Sequence, residues 1–195
     1  MTLAESSGLT ARQAERRQRV LRAASELAGE GGYDAVQIRE VANRAEVALG
    51  TVYHYFESKD HLLAALLLEW LVGLERSVEQ QPAEGDTPLD RMLELLGRAI
   101  GSMQANPDLT AAVMTGFSSP GPEIAACESQ LHETMSRVLG SAFPVGVDEQ
   151  WQAGVIRTLE HVWYSVLLGW VNGWMPFDQA RNELEQAAHV LLADS

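Results

Sequence analysis

An all-α fold follows from three features of the 195-residue chain. No segment alternates apolar and polar residues at period two, whereas apolar residues recur at i, i+3, i+4 and i+7 through most of its length. Helix punctuation is dense: Thr87-Pro88, Asn106-Pro107, Pro120-Gly121-Pro122, Pro144-Val145-Gly146 and Pro176 each separate two periodic stretches. Between Ile38 and Phe56, two short periodic stretches are joined by a three-residue turn, which is the helix-turn-helix plan.

Residues 1–9 carry no periodicity and are expected to form a mobile arm. A first helix is expected over 10–30, with Val20, Leu21, Ala24, Leu27 and Ala28 inside and Gly31-Gly32 stopping it. The second puts Ile38, Val41, Ala42 and Ala45 on one face, and Glu46-Val47-Ala48 turns the chain. The third starts near Leu49 and keeps Val52 and Phe56 inside. That turns Gly50, Thr51, His54 and Tyr55 outward, with Tyr53 at the boundary. Ser58 reads as the N-cap of a fourth helix over 59–80, which carries Leu62, Leu63, Leu66, Leu67, Trp70 and Leu74. Thr87 caps a fifth, with Pro88 at its first position and Leu89, Met92, Leu93, Leu96, Ile100 and Met103 along it. A sixth follows Asn106-Pro107 and holds Leu109, Val113, Met114 and Phe117. The last three are expected over 123–143, 148–175 and 178–193, with Asp148 as a cap and Pro176 as a stop.

Composition narrows the function. The net charge of −13 is concentrated: residues 1–59 hold eight Lys/Arg against eight Asp/Glu, and residues 60–195 hold six against nineteen. Near the N-terminus Arg12, Arg16, Arg17, Arg19 and Arg22 face only Glu15 in sequence, a local basic group that matters within a Debye length of ~8 Å. The single cysteine, Cys127, excludes an internal disulfide and suits a reducing cytosol. The polar N-terminus is unlike a signal peptide, and the longest apolar run, 162–171, is short of the ~20 residues a membrane helix needs. A cytoplasmic protein is expected. The five histidines never fall four apart, so no helical metal pair exists, and Glu160-His161 reads as a surface pair. Neither Gly-x-Ser-x-Gly nor Gly-x-Gly-x-x-Gly occurs. The expectation is therefore no catalysis, no metal and no cofactor, with Cys127 as a packing residue.

In a helix-turn-helix the second helix enters the major groove of double-stranded DNA. Arg39, Leu49, Gly50, Thr51, Tyr53, His54 and Tyr55 are the candidates to meet DNA. Lys59, beside the free N–H groups of the next helix, is the candidate phosphate anchor. The competing reading is a helical carrier of small molecules, or an enzyme, with an incidental helix-turn-helix.

The run Gly50-Thr51-Val52-Tyr53-His54-Tyr55-Phe56-Glu57-Ser58-Lys59, followed by His61-Leu62-Leu63, resembles the signature of the TetR family of one-component bacterial repressors. The resemblance reaches back through Val41-Ala42, Gly31-Gly32-Tyr33 and Val20-Leu21-Arg22-Ala23-Ala24, covering roughly residues 12–70. It implies a TetR-like fold: a three-helix DNA-binding domain over 10–58, then an effector-binding and dimerisation domain over 59–195. The implied function is a ligand-responsive repressor that binds a palindromic operator as a homodimer and is released by a small effector. Arg16-Arg17-Gln18-Arg19, the stretch from Gly31 to Gln37 and that from Trp163 to Trp170 resemble a branch of the family that represses sterol breakdown, which implies a steroid- or acyl-related effector.

The eighth helix is apolar nearly all round, which calls for two partners. Its small-residue side, Val155, Thr158, Val162, Ser165, Gly169 and Gly173, is the candidate dimer face; the resemblance implies that helices eight and nine of two subunits pack together. Trp70, Met92, Leu96, Met103, Met114, Phe117 and Trp163 are candidates to line an apolar effector cavity, although each alone is more often plain core. An acyl-CoA would bring several negative charges to an acidic region whose cations are Arg76, Arg91, Arg98, Arg137, Arg157 and Arg181. Only Arg98 lies beside candidate cavity residues. Thr115-Gly116-Phe117 stands where the resemblance would put basic residues. An apolar effector with few charges is favoured over a CoA thioester.

Overall fold

The computed structural model describes residues 10–193, and among them all regular structure is α-helical. The helices are α1 (Ala11–Ala35), α2 (Ile38–Arg44), α3 (Leu49–Tyr55), α4 (Lys59–Gln80), α5 (Pro88–Gln104), α6 (Pro107–Phe117), α7 (Pro122–Gly140), α8 (Glu149–Val171) and α9 (Phe177–Leu192). The arm expected for residues 1–9 lies outside the described residues. Two compact units form, one from the chain up to residue 70 with residues 106–131, the other from 71–105 and the chain from 132 on. The divisions fall inside α4 and α7 rather than after residue 58.

In the first unit, Thr10 and Gln13 form a reciprocal capping box that starts α1. Val20, Leu21, Ala24, Leu27 and Ala28 are buried, as their spacing predicts. The diglycine does not stop the helix at residue 30 but kinks it: Gly31 leaves helical geometry and Gly32 takes φ +66°, after which one more turn carries Tyr33 to Ala35. Only glycine adopts such a φ at no steric cost. Val41, Ala42, Ala45, Val52 and Phe56 close the small core of α1 to α3. The turn between α2 and α3 places Glu46 at φ +53°, a strained value for a residue with a Cβ, costing on the order of 1–2 kcal/mol. Ser58 caps α4, its Oγ accepting the His61 amide at 3.0 Å. Helix α6 belongs to this unit because it packs along α1 and against the start of α4. A Cβ on Gly116 would lie 2.6 Å from the Leu63 Cβ and 3.2 Å from the Asp60 carbonyl oxygen. Ala64, Ile124, Cys127 and Phe117 form an apolar cluster beside it.

In the second unit, Thr87 and Asp90 form the capping box of α5, and Pro88 takes the position where a missing N–H costs nothing. Helix α9 packs on α5 and α8, burying Ala180, Leu184, Ala188 and Leu192. Helix α7 ends at Gly140, short of the expected 143. Residues 141–143 form turns instead, and Arg91 Nε donates to the Ala142 carbonyl at 2.7 Å. Helix α8 starts at its Asp148 cap, as expected, but ends at Val171 rather than Met175. Gly173 takes φ +72°, its N–H donating to Trp170 O at 2.9 Å and that of Trp174 to Gly169 O at 2.8 Å. This pair of bonds is the Schellman motif, which satisfies carbonyls the helix leaves open.

Candidate functional site

The seven residues of α3 and its C-cap Phe56 divide by helical geometry. Val52, Tyr55 and Phe56, at i, i+3 and i+4, are buried. Leu49, Gly50, Tyr53 and His54 are exposed, Tyr53 most openly at 52%, and Thr51 is half-buried. This corrects one expectation: Tyr55, at 3% exposure, does not face outward. A position three residues after Val52 shares its inner face as surely as one four residues after it. Tyr53 takes the outward place instead. The Tyr55 ring meets the His54 ring edge-on at 5.1 Å and lies tilted to Phe56 at 6.4 Å, so it supports the exposed His54 from beneath. Arg39 is exposed on α2.

Lys59, in the first turn of α4, does not extend freely. Its Nζ lies 3.5 Å from the centroid of the Tyr33 ring, a cation–π contact. The Tyr33 hydroxyl donates to Asp60 Oδ1 at 2.6 Å, and that bond pushes its phenol up to about 12. Burial draws the Lys59 ammonium below its ordinary range, with Asp34 and Asp60 opposing. Sequence spacing gives no hint of this cluster, since Tyr33 and Asp60 are 27 residues apart. Of the N-terminal arginines, Arg12, Arg16 and Arg22 are exposed. Arg17 instead turns inward, over the Phe56 ring at 5.4 Å and 3.7 Å from Glu69.

The candidate effector residues fall in both units: Trp70, Met114 and Phe117 in the first, Met92, Leu96, Met103 and Trp163 in the second. All are buried except Trp70 and Phe117, which are half-buried. Arg98 is committed elsewhere, donating to the Gln81 carbonyl at 2.5 Å and to Glu94. Arg91 donates to two carbonyls, Arg137 pairs with Glu75, and Arg76, Arg157 and Arg181 are exposed.

On α8 the expected dimer face is only partly exposed. Thr158 and Ser165 are exposed and Val162 half-buried, but Val155 and Gly169 are buried within the subunit. Gly169 is small because Met175 folds over it; an added Cβ would lie 3.1 Å from Met175 Cε. Gly173 is the helix-ending residue described above. The outward side of α8 instead includes Gly154, Arg157, His161 and Tyr164, with Trp174 beyond its end at 74% exposure. His161 does not pair with Glu160: its Nδ1 contacts the Arg157 carbonyl at 2.7 Å, while Glu160 meets His132 Nδ1 at 2.6 Å. Cys127 is buried, and burial pushes its thiol up, away from reactivity. Among the described residues no group of three His, Cys, Asp or Glu could hold a metal ion, and no helix is long and apolar enough to cross a membrane.

A helix pair that presents an exposed second helix is the arrangement of a helix-turn-helix transcription regulator. The chain belongs to the TetR family of bacterial regulatory proteins: its residues 20–66 match the family's N-terminal domain and 85–191 a tetracyclin repressor-like C-terminal domain. It is 36% identical to the HTH-type transcriptional repressor KstR of Rhodococcus jostii RHA1, over 99% of this chain and 90% of that protein. A TetR transcriptional regulator from Rhodococcus sp. RHA1 shares 28% identity and superposes with a TM-score of 0.83, covering 94% of this chain and 98% of that one. The fold also matches Thermus thermophilus FadR, a repressor crystallised with lauroyl-CoA, at a TM-score of 0.70 and 23% identity over 90% and 92% of the two chains.

Proposed function

We propose that the chain is a homodimeric cytoplasmic repressor that binds a palindromic operator and is released by a small, mainly apolar effector. The observation that carries the DNA reading is the outward row on α3: Leu49, Gly50, Tyr53 and His54 exposed, with Thr51 at its edge, on a helix anchored by Val52, Tyr55 and Phe56. Gly50 permits close backbone approach, Thr51 and Tyr53 supply hydroxyls, and His54 supplies a ring donor for base edges. Arg39 and Lys59 supply phosphate contacts. The effector acts through different affinities for the DNA-competent and incompetent states.

The effector reading rests on chemistry and resemblance. The similarity to KstR, together with the sterol-breakdown branch the sequence resembles, favours a steroid or acyl compound. The cations of residues 60–195 favour one with few charges. Arg98, the arginine best placed in sequence for an anionic group, already binds Gln81 and Glu94. A CoA thioester, the ligand class of the FadR structure, stands second.

Selection of duplexes from a random pool by the purified protein tests the DNA reading. A palindromic consensus is expected. Against it, Lys59→Ala is expected to weaken binding to all sequences and to lower the salt slope by about one unit, while His54→Ala shifts base preference. No enrichment over an unrelated fragment would return the chain to the class of helical carriers or enzymes.

A further inference from the structure

We propose that Tyr33 is a positioning residue for DNA binding: its ring, held in place by Asp60, pre-orients the Lys59 ammonium for a phosphate. The inference rests on the operator-binding reading above.

Two contacts and a backbone kink in the first unit carry it. The Lys59 Nζ sits 3.5 Å from the Tyr33 ring centroid. The Tyr33 hydroxyl donates to Asp60 Oδ1 at 2.6 Å, which fixes the ring against the first turn of α4. Gly32, at φ +66°, kinks α1 so that the turn bearing Tyr33 is redirected after the helix proper. A free lysine side chain samples many rotamers, an entropy that a phosphate contact must otherwise overcome at the moment of binding. The negative face of an aromatic ring attracts an ammonium without neutralising it. Resting on the ring therefore narrows the rotamers of Lys59 yet leaves its full charge for DNA. Asp60 is the neighbour that would compete. Adjacent to Lys59, its carboxylate could pair with the ammonium and cancel it, but Oδ1 is occupied by the tyrosine hydroxyl. Asp34 adds a second negative charge nearby, so the ring also decides between a lysine directed at DNA and one drawn to a carboxylate.

The test uses the full chain and the duplex selected above, with affinity measured across a salt series. Tyr33→Leu is expected to weaken binding about three- to tenfold and to lower the salt slope toward that of Lys59→Ala. The double variant is expected to lose no more than Lys59→Ala alone. Tyr33→Phe keeps the ring but frees the Asp60 carboxylate, and is expected to fall between wild type and Tyr33→Leu in affinity and slope. A purely structural tyrosine would lower thermal stability and leave the slope unchanged; that outcome, or additive losses in the double variant, overturns the proposal. Failure of the wild-type chain to select DNA would instead overturn the function beneath it. Should Tyr33→Leu not fold, the ring-current shift of the Lys59 ε-methylene protons decides. An upfield shift is expected in wild type and a smaller one in Tyr33→Phe, and an ordinary value in wild type overturns the proposal.

Discussion

His61 of α4 is buried to 2% exposure, and its hydrogen bonding fixes its protonation. The Glu57 amide donates to Nδ1 at 3.2 Å, so the neutral ring carries its proton on Nε2, which is buried and meets no acceptor among the described residues. The Phe56 ring stands edge-on at 5.6 Å. Burial lowers the imidazole below its ordinary 6.5, and the charge of Arg17 lowers it further, against Glu123 and Glu57. The sign follows by linkage. Above pH ~6.5 the ring is neutral folded and unfolded, and stability is unaffected; as pH falls below that value the unfolded chain takes up the proton first, and stability is lost. Urea unfolding midpoints are therefore expected to drop between pH 7.5 and pH 5, and His61→Gln is expected to remove part of that drop. An identical pH dependence in the variant would mean that other groups carry it. In the sequence, His61 falls in the stretch that resembles the family signature, but nothing there marks it as buried. Its burial is set by the capping geometry of Ser58 and by the ring of Phe56, and neither is a matter of spacing. Tyr55 was legible in principle, because the inner face of a helix includes i+3 as well as i+4. Tyr33 was not, because its partner is reached only through the fold.

Gly169 shows how one element can be right in kind and wrong in purpose. A row of small residues on an apolar helix reads as a surface for close approach. Here the nearest occupant is the chain's own Met175, with Cε, Cγ and Sδ at 3.1, 3.3 and 3.4 Å from a modest Cβ. Gly169→Leu should then act as overpacking within the subunit, costing ~1–3 kcal/mol. The loss of thermal stability is expected to be the same at low and high protein concentration. A loss that vanishes as concentration rises would return Gly169 to the dimer face. The helices themselves were legible because their ends carry chemistry: Thr10, Ser58, Thr87, Asn106 and Asp148 each accept an amide of the following turn. The errors fall at C-termini. At the end of α8 the Schellman bonds of Gly173 and Trp174 stop the helix, although the apolar residues Trp174 and Met175 continue beyond it. Apolar composition does not mark the stop: Trp174 stands exposed beyond the helix, and Met175 folds back over Gly169.

At the scale of the whole molecule, function depends on what a single chain leaves uncovered. Large apolar groups stand in solvent at Tyr164 on α8, at Trp174 between α8 and α9, and at Val190 on α9, the last at 81% exposure. Isolated exposed apolar residues are common, but Tyr164 shares α8 with the exposed small residues Gly154, Thr158 and Ser165. Packing of two copies through this side of α8 would remove Tyr164 from water. Two-fold symmetry would also supply what a palindrome requires, two recognition helices about 34 Å apart, one helical turn of DNA or a multiple of it. Affinity for the full site then gains from linkage of two half-site contacts, and a monomer loses that gain without losing a single base contact. Ser165→Glu places a charge on the exposed face while leaving the subunit core intact. The wild-type chain is expected to sediment as a dimer at micromolar concentration. The variant should sediment as a monomer of unchanged helicity, and its affinity for the full operator should fall by at least a hundredfold, toward that for a half-site. A variant that stays dimeric and binds normally would place the interface elsewhere, and a wild-type monomer would remove the basis for a two-fold operator altogether.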